Sequence, residues 1–330
     1  MVYRLPSVYY DAIHTLKCEI AFHWFALSDR QREAIFFPWI DFMHLLYPFA
    51  KRFIAGEDSP SALISIQKLY KAGFLASLDI LGENVTSREQ ANAAREVYID
   101  LIKTVDQGNL TMDYSVKLTQ MGLDIDKKFC RDNLESLLLT AGSQTVRFDM
   151  EGSTYTQPTL DMCFDFHSQY KNLGQAVQAY LFRSQGDIDA LIEKQISVRL
   201  CKGAYKEASS IAYQSMDDIR QNFLTLAFKL LKEGHLPAIA THDEYLLAEI
   251  LSFISKEKID PDSFYFEMLY GVGRDLQKIL LAKGFQVRIY TPFGNAWLPY
   301  TLRRLMEKKE NMLFVIKNLF RETFGLRKIK

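Results

Sequence analysis

Charged residues sit inside otherwise apolar, β-rich runs of this chain, and that placement is the first sign of chemistry. Lys117 lies in DYSVKLTQMG (113–122), Asp149 and Glu151 close TVRFDME (145–151), and Arg199 and Lys202 lie in SVRLCKG (197–203). Thr241, His242 and Asp243 end PAIATHD (237–243), and Glu267 sits in SFYFEML (263–269). A charged side chain is almost never fully buried without a partner. Strands of a parallel sheet covered by helices are buried on both faces. Taken singly, each charge is as easily a solvated residue at a strand end. Taken together, toward the C-terminal halves of their runs, they point to one shared polar site.

A second constellation follows the last run, in YTPFGNAWLPYTLRRLMEKKEN (290–311). Pro299 suits the first turn of a helix, and Arg303 and Glu307 are then spaced i, i+4 and can pair. The neighbouring Arg303 and Arg304 diverge by about 100° on a helix, so both reach one ligand only if it lies over the helix edge. Two guanidiniums can grip one carboxylate or phosphate through charge-assisted bonds. The plain alternative is a solvated basic helix face. Other chemistries find no candidates. His14, His23, His44, His167 and His235 form no HxH or HExxH pattern that would bind catalytic zinc. No GxSxG or Cys/His context offers an acyl-transfer nucleophile.

The elements that must position these residues alternate along the chain. Besides the runs above, GFLASLDIL (73–81), LGQAVQAYL (173–181) and FQVRIYTP (285–292) read as strands, which makes eight. Between them lie helical patterns such as 87–105 and 215–234. The latter carries Ile219, Phe223, Leu226, Leu230 and Leu231 on one face and is expected to close at Gly234. LLAKG (280–284) is expected to close the same way, and Ser59-Pro60-Ser61 to open a helix running to about Lys71. Alternating strand and helix predicts parallel β with right-handed crossovers, and eight units close a (βα)8 barrel. A doubly wound open sheet is the rival, but no GxGxxG follows the first strand. GVGRDL (271–276) reads as a loop entering a helix. Residues 1–60 are aromatic-rich with helical spacing and are expected to form an N-terminal helical segment packed on a catalytic barrel of residues 61–330.

Composition bounds the partners. Lys+Arg and Asp+Glu number 40 each, so no global field attracts nucleic acid or an anionic membrane. Cys18, Cys130, Cys163 and Cys201 are scattered without CxxC or zinc spacing and read as reduced packing residues of a cytoplasmic protein. The N-terminus lacks a signal-peptide layout, and no run of about 18 apolar residues would span a membrane. Peripheral membrane contact stays open.

The motifs SVKLTQMGL, RFDMEGSTYTQPTLD, QAYLFRS, VRLCKGAY, ATHD, FEMLYGV and YTPFGNAWLPYTLRRLMEKKEN, in this order, resemble those of proline dehydrogenases. The likeness covers residues 60 to 312 and is closest to the short monofunctional bacterial form, without a fused aldehyde dehydrogenase domain. It implies a distorted (βα)8 TIM-type barrel with extra N-terminal helices, binding FAD non-covalently. The implied reaction oxidises L-proline to 1-pyrroline-5-carboxylate by hydride transfer to FAD, the first step of proline degradation. Electrons would then pass to a membrane quinone, with peripheral contact at the inner membrane face and a pyrroline-5-carboxylate dehydrogenase as partner. By the same likeness, Arg303, Arg304 and Lys117 bind the substrate carboxylate, Glu307 holds Arg303, and Asp149 fixes Arg303 or Lys117. Tyr205, Leu269 and Tyr290 wall the ring, with Tyr290 favouring proline over hydroxyproline. Arg199 sits at the flavin nitrogen that receives hydride and Gln178 contacts the isoalloxazine. Met150, the Lys202-Gly203-Ala204 turn, and Thr241 with His242 hold the rest of the cofactor. Cys201 and Lys206 stand where the family varies. Two other readings remain at this stage: a Schiff-base lyase using Lys117 or Lys202, and a barrel without catalysis. Another cyclic amine such as hydroxyproline is the alternative substrate.

Overall fold

The computed structural model describes residues 47–108 and 110–306. Within them a short helical turn (47–50) precedes α1 (Ser59–Lys71), and strands then alternate with helices. The order is β1 (Leu75–Ile80), α2 (Arg88–Gln107), β2 (Asp113–Val116), α3 (Lys127–Ala141), β3 (Thr145–Phe148), α4 (Ser153–His167), β4 (Leu173–Gln178) and α5 (Ser184–Glu193). It continues with β5 (Ser197–Cys201), α6 (Met216–Glu233), β6 (Ala238–Ala240), α7 (Glu244–Glu257), β7 (Tyr265–Leu269), α8 (Arg274–Ala282), β8 (Val287–Phe293) and α9 (Trp297–Met306). All eight strands pair in parallel and in sequence order, and β8 closes onto β1 with Ser77 beside Tyr290. The barrel predicted from the alternation is therefore the fold, and an open sheet is excluded.

Local chemistry explains where the helices start. Asp58, Ser87, Asp126, Ser215 and Asp243 each accept a backbone N–H of the first turn and cap α1, α2, α3, α6 and α7. The expected end at Gly234 differs in mechanism. Its backbone is extended (φ −79°, ψ 154°) rather than left-handed. A Cβ there would lie 2.6 Å from the Leu230 carbonyl oxygen, so close approach, not a positive φ, selects glycine. Gly284, at φ +87°, does make the left-handed exit expected after LLAKG.

Alternate strand positions divide the molecule into two interiors. One set, including Leu78, Val116, Val146, Phe148, Val198, Leu200, Phe266 and Ile289, packs with the inner faces of the helices in one large apolar core. The other set points into the barrel and is polar: Ser77, Asp79, Asp113, Ser115, Arg147, Arg199, Glu267 and Arg288 are all buried. Gly174, in register with Arg147, leaves room for its guanidinium. A Cβ there would stand 2.6 Å from Arg147 Nη1.

The stretch before α1 is bound to the barrel's C-terminal rim. Ala55 N–H donates to the Pro292 carbonyl (2.8 Å), Gly294 N–H to Gly56 (3.0 Å), and Trp297 Nε1 to Glu57 (2.8 Å). Ala50, Phe53 and Ile54 pack with Trp297, Leu298 and Tyr300 of α9. The helices expected over residues 1–46 lie outside the described residues.

Candidate active site

The strands are shorter than the runs read from sequence, and this places most of the candidate residues. Lys117, Asp149, Glu151, Lys202, Gly203, Thr241 and His242 each fall just past the end of their strand. They therefore stand at the C-terminal mouth, where barrels of this type carry their sites. Arg199 and Glu267 differ from expectation. Both lie in the middle of their strands, inside the barrel.

Arg199 joins the interior to the mouth. Its Nη1 donates to Asp149 Oδ1 (2.6 Å) and Ser115 Oγ (2.8 Å). Its Nη2 is ion-paired with Glu267 (2.7 Å) and lies 3.5 Å from Asp113. Burial works against the charged form, but Glu267, Asp149 and Asp113 outweigh it and hold the guanidinium's pKa well above its ordinary value. Below it, Arg147 forks onto Asp113 (3.0 and 2.8 Å) and donates to the Ser197 carbonyl, while Arg288 lies 3.2 Å from the same carboxylate. Burial opposes ionisation of Asp113, yet Arg147, Arg288 and Arg199 prevail and hold it down at about 2.

At the mouth, Asp149 is shared. Its Oδ2 accepts the Tyr290 hydroxyl (2.8 Å) and lies 3.6 Å from Lys117 Nζ. Lys117 donates to Asp79 (2.5 Å). Burial favours its neutral form, but Asp79, Asp149 and Glu83 outweigh burial and keep it an ammonium. The Tyr290 ring faces the Arg199 guanidinium at 5.1 Å, and its hydroxyl is held protonated by burial and by Asp149. Burial also raises the Tyr205 hydroxyl pKa, and the charge of Glu83 adds to the rise. Arg303 Nη1 lies 3.4 Å from Glu83. Its expected partner Glu307 lies outside the described residues. Asp149 bonds Arg199 and faces Lys117, and among the described residues Glu83 is the carboxylate that Arg303 meets. Arg304 rests over the Tyr300 ring, 5.3 Å from its centroid.

The other flank carries a turn of small residues. Gly203 adopts φ +125° with the Tyr180 ring packed against it, so a Cβ would stand 2.2 Å from that ring. Gln178 accepts the Ala204 N–H (3.2 Å) and donates to the Glu151 carbonyl (2.9 Å), so both ends of its amide hold the mouth together. Lys202 pairs with Asp243 (3.1 Å), which also binds Arg220 (2.8 Å). Thr241 Oγ1 accepts from Asp243 N–H, and His242 Nε2 accepts the Leu269 N–H (2.8 Å). Met150 is buried beside Asp149, and burial lifts the Cys201 thiol to about 12. Glu207, in the loop after β5, takes both the N–H (2.7 Å) and the hydroxyl (2.6 Å) of Ser153 and ties the Tyr205 loop to the start of α4.

Sequence reading missed Asp79, Glu83, Asp113, Ser115, Arg147 and Arg288. All but Glu83 had a signal: in LASLDI, DYSV, TVRF and VRIYTPF the polar residue takes every second position opposite apolar neighbours. Glu83 stands in the loop after β1 and carried no such mark.

A closed (βα)8 barrel with cations and carboxylates gathered at its C-terminal mouth is an architecture that many enzymes share. Known proteins narrow this. A family model described as proline dehydrogenase matches residues 62–317, and the chain belongs to that family. It is 36% identical over 272 residues to Proline dehydrogenase 2 of Bacillus subtilis (strain 168), covering 82% of this chain and 90% of that one. It is 33% identical over 288 residues to the proline dehydrogenase of Deinococcus radiodurans, covering 84% and 91%. These are the short bacterial relatives that the motifs implied. Among solved structures, proline utilization A from Bdellovibrio bacteriovorus, inactivated by N-propargylglycine, is similar with a TM-score of 0.73 at 26% identity. The match covers 78% of this chain and 32% of that longer one.

Proposed function

We propose that the barrel mouth oxidises L-proline to 1-pyrroline-5-carboxylate with FAD as cofactor, in the first step of proline breakdown. The observation that carries this reading is the set of ion-paired cations at the mouth: Lys117 on Asp79 and facing Asp149, which also bonds Arg199, and Arg303 on Glu83. A fixed ammonium beside a guanidinium is the donor set for a carboxylate. Lys117, Arg303 and Arg304 bind the substrate carboxylate, and Tyr205, Leu269 and Tyr290 wall the ring. Asp149 orients the cations by bonding Arg199 and Tyr290 and facing Lys117.

The mouth fits a flavin dinucleotide on two counts. Arg199 Nε is buried and has no acceptor among the described residues. The Lys202-Gly203-Ala204 turn brings a cation and backbone with little side chain to the rim, as a pyrophosphate requires. Met150, Gln178, Cys201, Thr241 and His242 complete that wall, with Gln178 acting through the Ala204 turn it holds. When bound, FAD supplies a two-electron acceptor for the hydride released as the ring C–N bond becomes C=N. Arg199 places fixed positive charge where negative charge develops. The substrate nitrogen must be unprotonated to release hydride, so the rate rises toward alkaline pH.

The onward acceptor is proposed to be a quinone, reached by peripheral contact with the cytoplasmic face of a membrane. Among the described residues no helix is long and apolar enough to cross one. The product suits transfer to a pyrroline-5-carboxylate dehydrogenase. Residues 1–60 are proposed to act as a segment carried on the barrel, a reading supported by the bonds that residues 55–57 make to its rim. The lyase reading loses support at Lys117, which Asp79 and Asp149 keep protonated and non-nucleophilic.

Turnover with L-proline and a soluble quinone tests the proposal, read by mass spectrometry as loss of two hydrogens from the amino acid. Conversion of 4-hydroxyproline in preference to proline would reassign the substrate, and no conversion of either would reject the reading.

A further inference from the structure

The barrel interior holds more charge than substrate binding needs. Asp113, Arg147, Glu267 and Arg288 lie below the mouth, all buried, and none is placed to meet a substrate carboxylate. With Asp79, Lys117, Asp149 and Arg199 they make a set of four carboxylates and four cations linked by short contacts. Glu267 occupies the middle of this set. Its Oε1 accepts from Ser77 Oγ (2.8 Å) and pairs with Arg199 Nη2 (2.7 Å), while its Oε2 lies 3.9 Å from Arg288.

Two roles follow from this geometry. Glu267 holds Nη2 of the guanidinium while Asp149 and Ser115 hold Nη1, so Arg199 is fixed at both terminal nitrogens and its buried Nε is left without a hydrogen-bond partner among the described residues. Glu267 also cancels part of the positive charge that Arg199 presents there. In an interior of low dielectric a unit charge acts over the whole width of the barrel. Arg288 stands on the far side of Glu267 and in turn offsets it.

We infer that Glu267 is a positioning residue for the reaction and that Glu267 and Arg288, as an opposed pair, set the field at the flavin through Arg199. This rests on the flavin reading above. Reduction by two electrons and one proton adds one negative charge to the flavin. Removing the Glu267 charge therefore favours reduced flavin, and removing the Arg288 charge disfavours it.

The test is redox titration of the FAD-loaded protein against a reference dye for wild type, Glu267→Gln, Arg288→Gln and the double variant. Glu267→Gln is expected to move the dye equilibrium roughly tenfold toward reduced flavin. Arg288→Gln is expected to move it the opposite way, and the double variant to return near wild type. If one single variant does not fold, the other with the charge-restored double variant still reads the sign. Shifts of the same sign in both single variants, or none in either, would overturn the inference while leaving the flavin reading intact. A wild-type protein that takes up no FAD would overturn both.

Discussion

Arg147→Met asks whether the charged floor under the site is structural in the way its geometry implies. Arg147 is almost fully buried and donates to Asp113 at 3.0 and 2.8 Å, to the Ser197 carbonyl at 2.9 Å and to Ser197 Oγ at 3.2 Å. Methionine keeps much of the volume but strands Asp113 with only Arg288 and Arg199, at 3.2 and 3.5 Å. Breaking a buried pair from one side costs about 3–5 kcal/mol. Part of this is visible in pH. Burial opposes ionisation of Asp113, yet the cations hold its carboxyl down at about 2, with Arg147 contributing most among them. A shift of this size corresponds to roughly 2–3 kcal/mol. A carboxylate with a depressed folded-state pKa stabilises above its unfolded pKa and loses that contribution as pH falls toward the folded value. The deficit of the variant should therefore be constant from pH 8 to 5 and narrow below pH 4. Urea unfolding of both proteins across this range measures it. A loss below 1 kcal/mol at pH 7, or a deficit that widens in acid, would refute the reasoning.

Arg304→Ala should raise the Michaelis constant for proline tenfold or more, since a charge-assisted bond to a carboxylate is worth about 1.5–3 kcal/mol; an unchanged constant removes Arg304 from the clamp. Gly203→Ala combines φ +125° with a Cβ 2.2 Å from the Tyr180 ring. It should lower the flavin content of the purified protein, and full occupancy with unchanged stability would show that the turn can yield. Borohydride with pyruvate or another carbonyl compound should label neither Lys117 nor Lys202, and a trapped adduct on either would revive the lyase chemistry.

The barrel was legible in the sequence because two signals agreed: short β-rich runs and intervening helices with a 3.6-residue period. The helix start at Ser59 could be read to the residue, and the pattern over 215–234 falls within one residue of Met216 because Ser215 is its cap. Strand ends could not. Lys117 and Asp149 read as strand residues because they continue the period-two alternation, yet pairing stops at Val116 and Phe148. The mouth was visible in its parts, since charges in apolar runs need a reason. The partners of those charges were not, because ion pairing across a barrel joins residues far apart in the chain: Arg199 meets Asp149, 50 positions away, and Ser77 meets Glu267, 190 away. The Arg303–Glu83 contact spans 220 positions and has no local mark at either end.

The most direct test of the whole account is the visible spectrum of the purified protein before and after anaerobic addition of L-proline. A flavin absorption band that bleaches with proline and returns when a quinone is added is the expected result. A colourless protein that cannot be reconstituted with FAD, or a flavin band indifferent to proline, would contradict it.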